Sequence, residues 1–392
     1  MPQGDSARVE RLQQLMKKAG MDALVCRLPE NIVFLTDYWP HHGFSFVVIQ
    51  QQGLPYLYVP EFEQDYTNPK WAHVGTFGWG LLTDDDLYVN YRTLLGQLNQ
   101  KLGLKGATIG VEKSFEVVGP TYRSAEPVIP AAPWTALLDE IFAGATQVDG
   151  GDVLQQTRAV KGEYDLKKIR IADEIAEMGI NELMSNLEPG MSEVQIGALV
   201  EHKIRSDGPG YKGARLVRAS CEVGAGAAGS FKGTVLIPST TYIVKEGDLV
   251  MIELATVADG YWSDLTYMAV VGKPSERQRE VYNHVLEAQQ AAARQMRPGA
   301  PFSAPDAAAR EVLKKAGLGD YFVHITGHGV GFRYHEFIPF LAPAAGGTLE
   351  AGMVSSVEPG VYIPNFGGIR IEDNVAVGPA GPVFLSTPRK PW

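Results

Sequence analysis

Cysteine is scarce in this chain, with only Cys26 and Cys221 among 392 residues. Two distant cysteines in no ligand or redox pattern argue against a disulfide framework, and they favour a reducing compartment such as the cytoplasm. Positive charge is also in deficit. The net charge of −10 at pH 7 argues against bulk electrostatic binding to nucleic acid or to an anionic membrane.

Long hydrophobic runs are missing as well, since no apolar stretch approaches the roughly 20 residues of a membrane-spanning helix. The first residues, MPQGDSARVERLQQL, lack the basic-then-apolar pattern of a signal peptide. We therefore expect a soluble, cytoplasmic protein. A composition of 45% hydrophobic and 20% charged residues is typical of globular proteins, and 392 residues favour two domains. We predict domains at residues 1–155 and 156–392.

The N-terminal segment alternates helical and strand-like patterns. Helical periodicity covers residues 8–19 and ends at Gly20, and short strands are predicted at residues 23–26, 32–35, 44–49 and 57–59. The pattern predicts a small α/β domain.

The C-terminal segment contains the order helix, Pro-Gly, helix twice. Predicted helices at residues 166–187 and 193–204 flank Pro189-Gly190, and those at 275–296 and 305–316 flank Pro298-Gly299. Strand-like sequence follows each copy. This order indicates an internal duplication, and a cleft between related halves is a common place for a site.

The segment GAGAAG, residues 224–229, matches the dinucleotide fingerprint GxGxxG in letters only. Nucleotide binding requires a helix to open directly after it. We predict strand and turn structure there instead, and hence no dinucleotide site.

Glu253 and Asp264 lie in MIELATVADGYWSDLTYMAV, which predicts two strands joined by a tight turn near Asp259-Gly260. In either of the two registers expected for that hairpin, the two acids lie opposite or diagonal on one face. Two solvent-facing acids on a hairpin are the alternative interpretation.

Three of the eight histidines, His324, His328 and His335, fall in HITGHGVGFRYHE. The interleaved glycines disfavour a helix and remove side chains, which lets a metal or ligand approach the backbone around His328. Core histidines in a glycine-rich turn are the alternative.

Glu358 and Glu372 lie in MVSSVEPGVYIP and GGIRIEDNVAV, two segments predicted to be strands. An acid within an apolar strand is costly unless it is paired or coordinates a metal. The alternative is a salt bridge at a strand end, with Arg370 as the partner.

Together these segments supply five hard donors: Glu253, Asp264, His328, Glu358 and Glu372. Carboxylates and imidazole suit Mn²⁺, Zn²⁺ or Co²⁺. Four ionised carboxylates carry the charge that two divalent cations neutralise, so the set indicates a two-metal hydrolase.

Taken as a set, GHGVG, HE, EPGVY and GGIRIED resemble the pita-bread metallopeptidases, which include methionine aminopeptidases, aminopeptidase P and the Xaa-Pro dipeptidases. The resemblance covers nearly all of residues 155–380. The N-terminal segment resembles the creatinase-type domain of prolidases and aminopeptidase P, which favours that branch. The implied fold is α/β (α+β), with a curved antiparallel sheet, built by duplication, that carries the metals.

The resemblance also implies site roles for individual residues. Asp264 and Glu372 bridge two ions, Glu253 binds one of them, and His328 with Glu358 binds the other. A metal-activated hydroxide attacks the scissile carbonyl, Glu358 transfers a proton, and His335 hydrogen-bonds the carbonyl. Arg370 pairs with the carboxylate of the C-terminal proline, and His324 contacts substrate.

Three positions depart from the family pattern. Glu253 stands where the first acid is normally Asp, Val235-Leu236 where an active-site histidine is expected, and Tyr267 where SD-x-T-R ends in arginine. The implied activity is hydrolysis of Xaa-Pro dipeptides by a homodimer. The alternatives are cleavage of longer Xaa-Pro peptides, a creatinase- or ectoine hydrolase-like C–N hydrolase, and a degenerate member that binds without turnover.

Overall fold

A computed structural model describes residues 6–42, 44–78, 86–113, 132–232 and 238–392. The described chain divides into two compact units, one ending at Arg158 and the other beginning at Ala159. Val235 and Leu236, where the family histidine was expected, lie outside the described residues. Within these residues we find no helix with the length and apolar character that a membrane span requires.

The first unit is built on a mixed six-stranded sheet. Its helices are α1 Ser6–Lys18, α2 Pro29–Thr36, α3 Leu87–Leu102, α4 Ala132–Ile141 and α5 Gly151–Arg158, and its strands are β1 Ala23–Cys26, β2 Phe46–Gln50, β3 Tyr56–Pro60, β4 His73–Phe77, β5 Thr108–Val111 and β6 Thr146–Asp149. The strand order is β4-β3-β2-β1-β5-β6. Apolar residues of β1, β2 and β5 pack against α3 and α4, which gives the small α/β domain that the sequence predicts.

One prediction in this unit is wrong, because residues 32–35 belong to α2 and not to a strand. Pro29 occupies the first turn, where its fixed φ suits a helix and its missing N–H is not needed. All six residues from Asn31 to Thr36 are buried. A short apolar run that is buried on every side has no periodicity to distinguish helix from strand.

The second unit contains two helix pairs and two antiparallel half-sheets. Its helices are α6 Glu163–Asn186, α7 Glu193–Asp207, α8 Gly226–Phe231, α9 Glu276–Ala293 and α10 Ser303–Lys315, and its strands are β7 Val217–Ala225, β8 Leu249–Ala258, β9 Tyr261–Val270, β10 Gly327–Gly329, β11 Glu336–Leu341, β12 Val354–Val357, β13 Gly360–Ile363, β14 Gly367–Arg370, β15 Asp373–Gly378 and β16 Gly381–Phe384. Short 3₁₀ helices lie at Tyr211–Gly213 and Gly319–Tyr321 in this unit and at Glu61–Tyr66 in the first unit.

Each helix pair covers one half-sheet, as the predicted duplication requires. Apolar faces of α6 and α7 pack on β7-β8-β9, and those of α9 and α10 pack on the sheet β11-β10-β12-β15-β16 and on the β13-β14 hairpin. The starts of α7 and α9 carry the same cap, in which Ser192 or Ser275 exchanges hydrogen bonds with a glutamine three residues later. The half-sheets meet where the Glu372 N–H donates to the Thr266 carbonyl at 3.3 Å.

The GAGAAG segment differs from the sequence prediction, because the six-residue helix α8 begins at Gly226. The chain's own carboxylate occupies its start: Glu193 Oε1 accepts a hydrogen bond from the Ala225 N–H at 2.7 Å. The other oxygen of Glu193 accepts from Thr240. An internal acid therefore uses a backbone donor that a phosphate would need.

A buried polar contact ties α6 to β15 next to the half-sheet junction. The side-chain amide of Asn374 donates to Asp173 Oδ1 at 2.7 Å, and Asp173 is fully buried. Burial is the largest cause that raises the pKa of Asp173 to about 8, with Glu177 and Asp373 adding to it against the hydrogen bonds of Ser263 and Asn374. The neutral carboxylic acid is therefore the form that this position favours.

We predict that Asp173→Asn removes a pH-dependent loss of stability. The folded-state pKa of about 8 lies above the ordinary aspartate value of 3.8. The protonated Asp173 carboxyl therefore makes its full contribution to the free energy of unfolding at pH values below the ordinary pKa. This contribution is lost as the pH rises towards the folded-state pKa. Urea unfolding of wild type should show lower stability at pH 8 than at pH 5, and Asp173→Asn should flatten this difference.

The surface change Asp207→Asn serves as the control and should leave the wild-type pH dependence in place. An Asp173→Asn variant with the same pH dependence as wild type would show that the carboxyl does not titrate in this window.

Candidate metal centre

The β8-β9 hairpin places two acids on one face of the sheet. Glu253 pairs with Thr266, and Ala255 pairs with Asp264, so Glu253 and Asp264 are diagonal neighbours, as the sequence predicts. The two-residue turn at Asp259-Gly260 has φ values of 51° and 86°. Positive φ at both positions matches the right-handed twist of a hairpin and fixes this register.

His328 lies at the centre of the three-residue strand β10. Its Nδ1 is 3.0 Å from the Gly329 carbonyl, which places the ring proton on Nδ1 and leaves Nε2 to face the acids. Nε2 lies 3.4 Å from Asp264 and 3.3 Å from Glu358. A Cβ at position 327 or 329 would collide with a carbonyl of a neighbouring strand. These glycines are therefore required because the strands lie close together, a reason that differs from the predicted access for a ligand.

Glu358 and Glu372 lie in breaks between strands rather than within strands, which corrects the sequence interpretation. Glu358 follows β12 and precedes β13, and Glu372 separates β14 from β15. β12 and β15 belong to one sheet and β13 and β14 to another, so each glutamate lies where the chain passes from one sheet to the other. The two glutamates thereby reach the same region as the hairpin acids.

The five predicted ligands come together in the structure. Three overlapping groups each have ligand atoms within 4.8 Å of one another: Glu253, Asp264, Glu372; His328, Glu358, Glu372; and Asp264, His328, His335. Asp264, His328 and Glu372 each belong to two groups. Of these three, the carboxylates have two oxygens each, through which one residue can be shared by two cations. His335 joins the third group, although the sequence assigned it to substrate alone.

The charges in this cluster are not balanced by the protein. Burial first, and then the charge of Glu253, raise the pKa of Asp264 well above its ordinary value; burial and Asp264 do the same for the pKa of Glu372. Burial opposes protonation of His328, but Glu358 and Asp264 outweigh it and raise the pKa of His328 to about 9. The same pairing overcomes the effect of burial on Glu358 and lowers its pKa to about 2.

The donor set fits divalent cations. Neither oxygen of Asp264, nor Oε1 of Glu372, accepts a hydrogen bond of good geometry from any residue that the structure describes. A buried carboxylate oxygen without a donor is costly, and a cation is the partner that satisfies it. Oxygen and imidazole donors of this kind suit Mn²⁺, Zn²⁺ and Co²⁺.

Arg370 neutralises part of the negative charge of the cluster. It is 4% exposed, makes an ion pair with Glu253, and donates to Thr266 at 2.8 Å and to Tyr362 at 3.1 Å. Burial opposes its charge, but Glu253 and the other neighbouring oxygens hold the pKa of Arg370 well above its ordinary value. Its predicted contact with a substrate carboxylate stays a prediction, because these donors are directed at the protein.

His324 lies behind the cluster and contacts Tyr362. Its Nε2 is 3.0 Å from the Tyr362 hydroxyl, and its Nδ1 is 2.7 Å from the Ile325 carbonyl. Burial is the main cause that lowers the pKa of His324, so the neutral imidazole is favoured. Its role in substrate binding likewise stays a prediction.

Three residues of this site were missed by sequence reasoning: Thr266, Tyr334 and Tyr362. Thr266 was accessible to it, because it lies two residues after Asp264 on the same face of β9. Its hydroxyl is 2.9 Å from Glu253 and 2.6 Å from Glu372. No periodic pattern identifies Tyr334, which lies in the turn between β10 and β11.

Comparison with known proteins agrees with this geometry. Residues 167–379 match Metallopeptidase family M24, and residues 8–160 match the Creatinase/Prolidase N-terminal domain. The chain is 36% identical to the Xaa-Pro dipeptidase of Pyrococcus furiosus over 94% of both chains. It is 30% identical to the putative dipeptidase YkvY of Bacillus subtilis over 97% of both chains.

Solved structures give the same fold. The prolidase from Pyrococcus horikoshii superposes with a TM-score of 0.75 at 27% identity, covering 98% of this chain and 99% of that one. The X-Pro aminopeptidase from Thermotoga maritima gives a TM-score of 0.75 at 26% identity, covering 96% and 97%. The predicted creatinase-type and pita-bread fold is thus confirmed, and the chain belongs to metallopeptidase family M24, with a creatinase/prolidase N-terminal domain before its catalytic domain.

Proposed function

We propose that this chain hydrolyses Xaa-Pro dipeptides and releases the C-terminal proline, using two divalent cations, Mn²⁺, Zn²⁺ or Co²⁺. The observation that carries the proposal is the buried cluster of four carboxylates around His328, in which oxygens of Asp264 and Glu372 accept no hydrogen bond of good geometry from the described residues. The names of relatives supply the substrate class, since several similar proteins are Xaa-Pro dipeptidases.

Asp264 and Glu372 would be shared by both cations, since each belongs to two donor groups and each carboxylate offers two oxygens. Glu253 would complete one site, and His328 with Glu358 the other. When bound, such cations lower the pKa of a coordinated water and polarise the scissile carbonyl. The protein supplies the fixed arrangement of the ligands, which the hairpin register and the two strand breaks determine.

Glu358 is placed to move a proton. The side chains of Glu358 and Glu253 are 14% and 17% exposed, against 1% for Asp264, and Glu253 is already paired with Arg370. An ionised Glu358 carboxylate would accept a proton from the attacking water. The same group then delivers that proton to the leaving nitrogen.

His335 is placed to donate to the substrate carbonyl. Its ring packs edge-on against His328, with centroids 4.3 Å apart, and it lies beside Tyr334 at 4.4 Å. This packing orients an imidazole beside the ligand group, where an N–H stabilises negative charge that develops on the carbonyl oxygen.

A second candidate function is cleavage of longer Xaa-Pro peptides. The X-Pro aminopeptidase of Thermotoga maritima has the same fold at similar identity, so the fold does not separate the two activities. The length of the peptide that is hydrolysed in an assay distinguishes the two activities. The homodimer remains a prediction that gel filtration with light scattering tests.

We predict that chelator treatment abolishes hydrolysis and that Mn²⁺, Zn²⁺ or Co²⁺ added back singly restores it. Proline release from an Xaa-Pro dipeptide and Xaa release from an Xaa-Pro-Yaa tripeptide are measured side by side. Dipeptide hydrolysis alone supports the proposal, and tripeptide cleavage alone supports the aminopeptidase P activity. Metal binding without hydrolysis of either peptide contradicts both.

We also predict that Glu358→Gln lowers kcat by about 10²–10⁴-fold, because the amide cannot accept and return the proton. His335→Ala should lower kcat by about 10²–10³-fold through loss of one donor to the carbonyl oxygen. Steady-state kinetics of the metal-loaded enzyme measures both changes.

His284→Ala, a histidine on α9 outside the cluster, is the matched control and should retain activity. If Glu358→Gln hydrolysed the dipeptide at the wild-type rate, Glu358 would not be the proton carrier.

A further inference from the structure

The hydroxyl of Tyr334 makes a contact inside the cluster that no metal-ligand motif requires. It donates to Glu253 Oε1 at 2.6 Å, and Asp264 also lies beside it. Tyr334 is 5% exposed, and it directly precedes His335 in the turn before β11. A buried phenol whose hydroxyl contacts a candidate ligand is positioned to control that ligand.

Packing holds the Tyr334 ring on two sides. His335 lies edge-on to it at 4.4 Å between centroids, and Trp262 lies against it at 5.9 Å. Trp262 belongs to β9, and its backbone N–H donates to the Gly331 carbonyl at 2.7 Å, which ties the turn to the hairpin. The position of the hydroxyl relative to Glu253 is therefore fixed by the fold.

Counting acceptor positions on Glu253 shows what remains for a cation. An ionised carboxylate has about two acceptor positions on each oxygen. Oε2 is paired with the Arg370 guanidinium and lies 2.9 Å from the Thr266 hydroxyl, whose single proton is shared with Glu372, so a second positive charge is disfavoured at this oxygen. Oε1 accepts from Tyr334, which uses one and leaves one.

We propose that Tyr334 is a positioning residue that orients Glu253, so that Oε1 is the oxygen presented to a cation beside Asp264 and Glu372. The longer glutamate side chain has an additional rotatable bond compared with the aspartate that the family pattern predicts, so its carboxylate needs a further contact to fix it. The hydroxyl of Tyr334 supplies that contact. This inference rests on the proposed function, because it takes the cluster to bind divalent cations.

The test is Mn²⁺ binding measured by equilibrium dialysis with metal analysis, on wild type, Tyr334→Phe, Glu253→Asp and the double variant. Removing a contact that orients a metal ligand costs about 10–100-fold in affinity. We therefore expect Tyr334→Phe to weaken one of two Mn²⁺ sites by that factor and to leave the other unchanged. In the Glu253→Asp background, where the carboxylate is withdrawn from the hydroxyl, the same change should cost no more than about twofold.

Tyr282→Phe is the matched control. Tyr282 is also buried, stacks on Trp392 at 4.0 Å, and lies on α9 away from the cluster. It should leave both Mn²⁺ affinities as in wild type. The visible spectrum of Co²⁺-loaded protein provides a second readout, because a changed ligand arrangement at one site alters its absorption bands.

Unchanged Mn²⁺ affinities in Tyr334→Phe would overturn the inference while leaving the proposed function in place. An equal loss in the wild-type and Glu253→Asp backgrounds would also overturn it, because the effect would then be one of packing. If wild type bound no Mn²⁺, Zn²⁺ or Co²⁺ at all, the proposed function would fail and this inference with it. Urea unfolding of the metal-free variants checks that each one folds. If Tyr334→Phe proves unstable, Glu253→Asp alone should weaken the Mn²⁺ site that Glu253 is proposed to complete.

Discussion

Concentration of four carboxylates in one buried region is the constraint on which the rest of this structure depends. Desolvation and mutual repulsion oppose ionisation there, and they raise the pKa values of Asp264 and Glu372 well above the ordinary range. Among the described residues, two cationic side chains face these acids: His328 lies beside Glu358 and Asp264, and Arg370 lies beside Glu253. The remaining negative charge is the physical reason for expecting divalent cations.

Hydrogen bonds through neighbouring side chains connect the candidate ligands to each other. Arg370 contacts Glu253 and Tyr362, and Tyr362 contacts His324. Thr266 contacts Glu253 and Glu372, which come from different half-sheets. A change at one ligand therefore alters the setting of several others, and single substitutions here are not expected to be additive.

Much of the fold and of the ligand set follows from the sequence. The hairpin register around Asp259-Gly260 places Glu253 and Asp264 on one face of the sheet. In each half of the second unit, a Pro-Gly pair separates the two helices. These features are local, because turn residues, helix caps and hydrophobic periodicity determine them. The five residues of the cluster could be picked out because a hard donor within an apolar segment is costly to bury unless it is paired or coordinates a metal.

What the sequence did not show depends on contacts between distant segments. Residues 32–35 are buried on all sides, so their sequence has no periodicity that distinguishes a helix from a strand. The glycines beside His328 are required by neighbouring strands. Tyr334 reaches Glu253 across 81 positions of the chain, and no local pattern signals such a contact.

Anomalous X-ray diffraction from crystals grown with Mn²⁺ tests the central claim most directly. The account predicts two anomalous peaks within the cluster, one beside Glu253 and the other beside His328 and Glu358, with Asp264 and Glu372 adjacent to both. A cluster that contained no peak at saturating Mn²⁺ would contradict it.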